Sequence, residues 1–288
     1  MSIDVTVPVS PAELDEVVDA LRGWQADGEP MQLHPGDIGW FWRFGTRVIA
    51  ASLRVWRRNG RIEGVGLLDV AALLRLGVSP EVRDDPVFMW RLASDVMRPD
   101  RGVLPAGSVA VEARFAGAFR DLLLAGGWRD GEPWTPLSRD LTPPVGDPGV
   151  RVEVATPDTA DLRTAVQRAA FSGSTFSTAK WRTMAACPVY RDARCLVAYD
   201  DDGAEVAAAT AWSAGPGRPG ILEPVGVHPF HRGLGYGRAI TVAAAAALRD
   251  MGATSALVCT ETANVAAVAT YRSAGFDEHA AVPDIERM

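Results

Sequence analysis

The sequence predicts a mixed α/β fold (α+β, with a mixed sheet) present in two tandem copies. Three observations lead there. The chain has 288 residues, which corresponds to about two domains at roughly 150 residues each. Landmarks recur at nearly constant spacing: Gly77-Val78-Ser79-Pro80 and Gly226-Val227-His228-Pro229 lie 149 residues apart, as do Glu112 and Glu261, while Gly127 and Gly275 lie 148 apart. Between the halves, Leu141–Gly149 holds three prolines and two glycines in nine residues, a composition that continues neither a helix nor a central strand. Residues 1–142 read as one copy, 143–149 as a linker and 150–288 as the other.

The elements of the second copy follow from local pattern. A strand at Val150–Val154 precedes Pro157-Asp158 and a helix to about Phe171. A short helix follows over Thr178–Ala185. Strands at Cys195–Tyr199 and Glu205–Trp212 flank Asp202-Gly203, a hairpin signal matched by Asn59-Gly60 in the first copy. The strand Ile221–Val227 stops at Pro229, which has no N–H to pair. A helix runs from near Gly235 to Met251, with Gly252 suited to its C-cap. A strand at Ser255–Cys259, a helix over Asn264–Ala274 ended by Gly275, and a last strand complete the copy. Strands in the middle with helices at both ends describe a mixed sheet, not a βαβ array.

Composition narrows the function. Apolar residues make up 48% and charged residues 23%, an ordinary globular balance. Asp plus Glu exceeds Lys plus Arg by 36 to 29, a net charge of −7, so nucleic acid and anionic membrane surfaces are not expected partners. Apolar runs such as Val48–Leu53 and Val242–Leu248 are far shorter than the ~20 residues of a membrane span. Met-Ser-Ile-Asp-Val at the N-terminus shows no basic or apolar signal region. Cys187, Cys195 and Cys259 lack metal-type spacing, and the expectation is a cytoplasmic protein without disulfides or a metal site. Nothing in the sequence reports its oligomeric state.

The chemistry concentrates in one stretch. After the strand ending at Val227 come Arg232-Gly233-Leu234-Gly235-Tyr236-Gly237-Arg238 and an Ala-rich helix. Glycines at a helix start let the backbone approach a ligand, and the free N–H groups there bind phosphate. A dinucleotide-binding turn fits poorly: the spacing is G-x-G-x-G, and five residues separate Val227 from the first glycine. A tight turn serving only helix packing is the plainer alternative.

Arg232-Gly-Leu-Gly235-Tyr-Gly237 resembles the R/Q-x-x-G-x-G/A signature of the GNAT superfamily of acetyl-CoA-dependent N-acetyltransferases. The family's second signature, an Asn at a helix start, a Tyr and then Gly-Phe, is matched by Asn264, Tyr271 and Gly275-Phe276. The resemblance covers about residues 150–288, and the first copy shares it only through the repeat. It implies acetyl-CoA as cosubstrate without a metal, with the CoA pyrophosphate on the loop from Arg232 to Arg238. It also implies that the preceding strand splays from its neighbour and that the backbone of Val225 and Val227 pairs with the pantetheine arm.

The acid–base candidates follow from what aminolysis of a thioester needs. An amine attacks as the free base, and at a pKa near 10.4 only about one molecule in a thousand is unprotonated at pH 7. Glu223 is the candidate base: period 2 places 221, 223, 225 and 227 on one face of the strand, and a glutamate there is otherwise out of place. The alternative is a strand-end carboxylate facing solvent or an arginine, and His228 and His231 are the next bases. Tyr271 is the candidate acid for the leaving thiolate; a packing aromatic is its alternative role. Asn264 either caps its helix or bonds the CoA arm.

The first copy departs from the pattern. Arg83-Asp84-Asp85-Pro86-Val87-Phe88 aligns on Arg232–Gly237, and Leu74 stands where Glu223 stands. Two carboxylates oppose a pyrophosphate, and Pro86 removes a donor. This copy is expected to be degenerate, a docking partner and one wall of an acceptor cleft. Trp24, Trp40, Phe41 and Trp42 read as core, and Arg54, Arg57, Arg58 and Arg61 as a solvated hairpin face. The expected function is transfer of an acetyl group to an amine of a small molecule, without a covalent enzyme intermediate. The alternatives are a non-catalytic acyl-CoA sensor and an acetyltransferase resembling the mycothiol-forming enzymes, which share the tandem layout.

Overall fold

The computed structural model describes residues 3–115 and 117–288; Met1 and Ser2 of the N-terminal segment read above lie outside them. The first half contains β1 (Ile3–Thr6), α1 (Leu14–Gly23), α2 (Pro35–Phe41), α3 (Thr46–Ser52), β2 (Leu53–Arg58), β3 (Arg61–Val70), β4 (Leu73–Val78), α4 (Pro86–Met97), β5 (Val109–Glu112), α5 (Gly117–Ala125) and β6 (Arg129–Asp140). The second contains β7 (Arg151–Val154), α6 (Ala160–Ala170), α7 (Thr178–Ala185), β8 (Ala193–Tyr199), β9 (Glu205–Ser213), β10 (Gly220–Val227), α8 (Tyr236–Asp250), β11 (Ser255–Glu261), α9 (Val265–Ser273), β12 (Asp277–Glu278) and β13 (Val282–Arg287).

The chain gathers into two compact units that are interleaved in sequence. Unit 1 takes the chain up to Ile38, Thr46–Trp134 and Ala281–Met288; unit 2 takes Gly39–Gly45 and Thr135–Ala280. Relative to a division at the linker, three short segments change sides: Gly39–Gly45, residues 135–142 and Ala281–Met288. The last strand does so because it lies between β5 and β6 and pairs with both: Ile285 stands opposite both Val111 and Asp130.

In unit 1 the strands run β1-β2-β3-β4-β5-β13-β6, with β4 and β5 parallel. Trp56, Leu74, Phe88, Leu92 and Phe119 are fully buried beneath them. The β2–β3 hairpin turns at Asn59 (φ 52°) and Gly60 (φ 83°), the two left-handed positions of a type I′ turn. Of the arginines expected to form a solvated face, Arg61 is exposed, but the other three are not. Arg54 is buried and donates to the Val103 carbonyl, Arg57 pairs with Glu13 and Glu16, and Arg58 pairs with Asp85. A guanidinium on a long stem reaches partners that linear spacing does not reveal.

In unit 2 the order is the end of β6, then β11-β10-β9-β8-β7, with β12 pairing β6 at Asp277–Ser138. Alanines at 207, 208, 209 and 211 make β9 thin enough for α6 and α8 to pack closely against it. Ile240, Ala244, Ala245 and Leu248 form the buried stripe of α8, spaced as one helical face. Arg163 on α6 is fully buried, and its Nε and Nη2 donate to Cys195 Sγ on β8 and Thr210 Oγ1 on β9. Among the described residues no helix is long and apolar enough to cross a membrane.

Candidate active site

The site is built around the end of β10. This strand pairs with β9 from Gly220 to Val227 but with parallel β11 only at Gly220–Ala256 and Ile221–Leu257. Beyond Ile221 the two strands part, although β11 continues to Glu261. The edge of β10 that carries Val225 and Val227 thus faces a gap, and unpaired strand backbone there can accept an extended chain as an additional strand. The splay expected from the family resemblance is present at this point.

The register along β10 is not continuous. Leu222 faces Ala211, but Val225 faces Ala209, so Glu223 and Pro224 form a bulge. Proline has no N–H to give the ladder, and a bulge accommodates it. The simple alternation that placed 221, 223, 225 and 227 on one face therefore does not hold: the extra residue re-aims the strand at Glu223. Gly226 permits close approach of α6, since a Cβ there would lie 2.7 Å from Ala170 Cβ and 2.8 Å from Phe171.

The loop after β10 ends at the N-terminus of α8. Gly233 (φ 78°) and Gly235 (φ 90°) adopt left-handed conformations that residues with a Cβ rarely tolerate. Gly235 caps the helix without a side-chain acceptor, and no acidic residue lies in the first turn. The first N–H groups of this helix therefore have neither an intrahelical partner nor a side chain to meet, and they carry the positive end of its dipole. Gly233, Leu234 and Gly235 are exposed, while Tyr236 and Gly237 are half-buried. Gly237 serves packing too: a Cβ there would lie 3.0 Å from Thr270 Cγ2 on α9.

The two loop arginines are braced by backbone. Arg232 Nη2 donates to the Ala170 carbonyl at 2.9 Å, and Arg238 Nε donates to the Ser273 carbonyl at 3.1 Å. Their charges are held beside the loop by α6 and α9. Asn264 caps α9, its Oδ1 accepting from the Ala267 N–H. His228 caps the short turn before the loop by accepting from the Phe230 N–H, and His231 lies 4.0 Å from Asp200 at the far hairpin. Both histidines are thus engaged in holding the loop.

Tyr271 is buried, with its ring 6.1 Å from that of Phe276. Burial pushes its hydroxyl well above the ordinary tyrosine value, and the nearby Cys259 and Glu223 raise it further. The phenol and the half-buried Glu223 carboxylate therefore share one electrostatic environment, although they lie 48 residues apart in sequence. Trp212, named from the sequence only as the end of a strand, also belongs here: its indole N–H donates to the Glu223 carbonyl at 2.8 Å. Among the described residues no group of His, Cys, Asp or Glu is placed to hold a metal ion.

The equivalent place in unit 1 is chemically closed. Asp85 caps α4, and its Oδ1 accepts from the N–H groups of Val87 and Phe88 at 2.8 and 3.1 Å. A carboxylate of the chain itself thus holds the donors that a phosphate would need, and Arg58 pairs with it. Leu74 is fully buried in the core.

Known proteins share these features. The sequence pattern described as "Acetyltransferase (GNAT) family" matches residues 161–276. Two proteins named mycothiol acetyltransferase match locally. That of Cellulomonas flavigena is 47% identical over 57 residues, 20% of this chain and 16% of its own. That of Geodermatophilus obscurus is 41% identical over 66 residues, 23% of this chain and 21% of its own. The chain thus matches only about a fifth of the length of these relatives. Among solved structures, an acetyltransferase of the GNAT family from Colwellia psychrerythraea superposes with a TM-score of 0.63 at 13% identity, covering 100% of both chains. A tandem GNAT protein from the clavulanic acid biosynthesis pathway gives 0.64 at 17% identity, covering 99% of this chain and 98% of its own. At such identities the likeness is one of fold, and it extends over both halves. The matched pattern makes residues 161–276, with their parted strands and glycine loop on a helix start, a region similar to the GNAT acetyltransferase family, within a chain whose fold is that of tandem GNAT proteins.

Proposed function

We propose that the protein transfers the acetyl group of acetyl-CoA to an amine of a small molecule, through unit 2. The observation that carries this reading is the gap where β10 parts from β11, followed in the chain by the open N-terminus of α8, with Glu223 in the bulge of β10 and its charge felt by Tyr271. The pyrophosphate would take the N–H groups of the loop from Arg232 to Arg238, and the pantetheine arm would pair with Val225 and Val227. Asn264, already a cap through Oδ1, has an amide nitrogen to offer the arm.

In the reaction the amine nitrogen attacks the thioester carbonyl carbon, and the C–S bond breaks. The amine proton passes to the Glu223 carboxylate, directly or through water. The departing sulfur leaves as a thiolate that accepts a hydrogen bond from the Tyr271 hydroxyl. A free thiol ionises near 8.5, below an ordinary tyrosine near 10, and burial raises Tyr271 further. Tyr271 thus acts first as a hydrogen-bond donor to the developing thiolate. The proton held by Glu223 passes through water to the CoA thiolate as it leaves, so Glu223 is again a carboxylate, Tyr271 is unchanged, and no covalent intermediate forms.

Thiol release from acetyl-CoA, followed with a panel of amines, tests the reading. Glu223→Gln should lower the rate about 10²–10⁴-fold, with a smaller loss as pH approaches the amine's own pKa. Tyr271→Phe should lose rate at all pH values, and the wild type should show no alkaline fall from tyrosine ionisation up to about pH 10. Full activity of both variants on one acceptor would leave only a cofactor-binding fold, the sensor alternative. The local identity to mycothiol acetyltransferases favours a second, narrower acceptor class, an amine on a thiol-bearing sugar conjugate. Preferential turnover of such an acceptor in the panel would select it.

A further inference from the structure

The Glu223 carbonyl lies in the bulge where β10 slips against β9, between the Leu222–Ala211 and Val225–Ala209 pairs. A residue shifted out of register has lost the regular ladder that would fix its peptide plane. Here an indole does so instead: Trp212 Nε1 donates to the Glu223 carbonyl at 2.8 Å. Fixing that carbonyl fixes ψ of Glu223 and, with it, the direction in which its side chain leaves the strand.

Trp212 is itself immobilised. It is fully buried on β9, opposite Ile221 and Ala193. The ring of Tyr190 meets it edge-on at 6.0 Å. Its six-membered ring lies against Gly39, where a Cβ would come within 2.4 Å of Cζ3 and 2.9 Å of Cε3 and Cη2. Gly39 is in α2, where a glycine is less stable than an alanine; here the ring occupies the space of the side chain. The segment Gly39–Gly45 belongs to unit 2. It is anchored there by Trp40 on Phe176, with ring centroids 5.2 Å apart, and by Lys180 Nζ over Phe44 at 5.1 Å.

We propose that Trp212 is the positioning residue for Glu223, and that Gly39, a residue of the first sequence copy, locks its indole in place. The first copy then contributes to catalysis by presenting the base, through residues that touch no substrate. This inference rests on Glu223 being the base, as proposed above.

Two measurements test it. The first is the Trp212 indole ¹H–¹⁵N resonance, assigned by its disappearance in Trp212→Phe, which needs no acceptor. It should be protected from solvent exchange and should shift as Glu223 titrates; the shift should vanish in Glu223→Gln, and Gly39→Ala should remove the protection. An indole signal that exchanges freely in the wild type, or that ignores Glu223, overturns the proposal. The second is kinetic. Trp212→Phe keeps an aromatic ring and removes the donor. It should lower kcat about 10- to 10²-fold, the scale of an ångström's misplacement, with KM for acetyl-CoA unchanged and the apparent pKa of the base displaced. Combined with Glu223→Gln it should cause little further loss. Wild-type kcat in folded Trp212→Phe, or an equal loss in the Glu223→Gln background, defeats the positioning role while leaving the base assignment standing. An active Glu223→Gln would instead remove the reading on which the inference rests. If Trp212→Phe does not fold, Gly39→Ala carries the same kinetic test.

Discussion

Gly235→Val separates the loop's conformation from its packing. Gly235 adopts φ 90° and ψ −9° as the cap of α8, and an added Cβ meets nothing within 4 Å. No clash with the rest of the protein follows, so the whole effect lies in the backbone. A residue with a Cβ held in left-handed conformation costs roughly 1–2 kcal/mol, and a β-branched one belongs at the upper end or beyond. The loop escapes that cost by turning to negative φ, which swings the neighbouring N–H groups away from the phosphate position. A hydrogen bond to a charged group contributes about 1.5–3 kcal/mol, so losing one of them weakens acetyl-CoA binding about tenfold or more. Titration calorimetry measures the affinity, and circular dichroism confirms that the variant is folded. Gly237→Ala is the contrasting variant: its Cβ would press on Thr270 Cγ2 at 3.0 Å, so its effect should appear chiefly in the melting temperature. A folded Gly235→Val that binds acetyl-CoA as tightly as the wild type would refute the assignment of this loop to the cofactor.

Other expectations follow from unit 1. Calorimetry should give one acetyl-CoA per chain, and Asp85→Ala should leave that affinity unchanged while costing about 0.5–2 kcal/mol of stability through the lost α4 cap; a stoichiometry near two would contradict the closed site. Asp284, on β13, is pushed up to about 6 from an ordinary 3.8 by burial and by Glu112, with Arg114 and Arg75 opposing. The protonated carboxyl is the form the fold favours. Its stabilisation is complete below about pH 4 and is lost as pH rises through 6. Asp284→Asn should therefore stabilise the protein at pH 7 by about 1–2 kcal/mol after allowance for solvent screening. The gain should shrink toward pH 4 in chemical denaturation; a gain independent of pH would exclude ionisation as its cause.

Much of unit 2 is legible in the sequence because its signals are local. Thr178–Ala185 and the caps at Asn264 and Gly252 are set by neighbours a few residues away. The glycine loop is legible for the same reason: a left-handed backbone at Gly233 and Gly235 leaves a mark in composition. The bulge at Glu223 is harder to see. Alternation predicts a straight strand, and Pro224 signals a break without saying how the register slips. Trp212 is buried, and the sequence does not reveal its hydrogen bond, because that bond depends on the slip. Long-range placements leave no trace at all. Nothing in Val-Pro-Asp-Ile-Glu-Arg names β5 and β6 as its partners, and nothing in Gly-Trp-Phe-Trp-Arg-Phe-Gly names α7. Arg54, Arg57 and Arg58 were misread for the same reason, since their partners lie far away in sequence.

The placement of β13 has a consequence for how the protein is made. Unit 1 needs that strand to join β5 to β6, yet residues 141–281 are synthesised between β6 and β13. At about 5–20 residues per second, translation of that interval takes on the order of 10 s. During it, the nascent first half carries two unfilled strand edges, the kind of surface that recruits chaperones or pairs wrongly with another chain. Completion of unit 1 is thus deferred until unit 2 has emerged from the ribosome. Cutting the gene at the proline-rich linker would leave the early fragment permanently in that state.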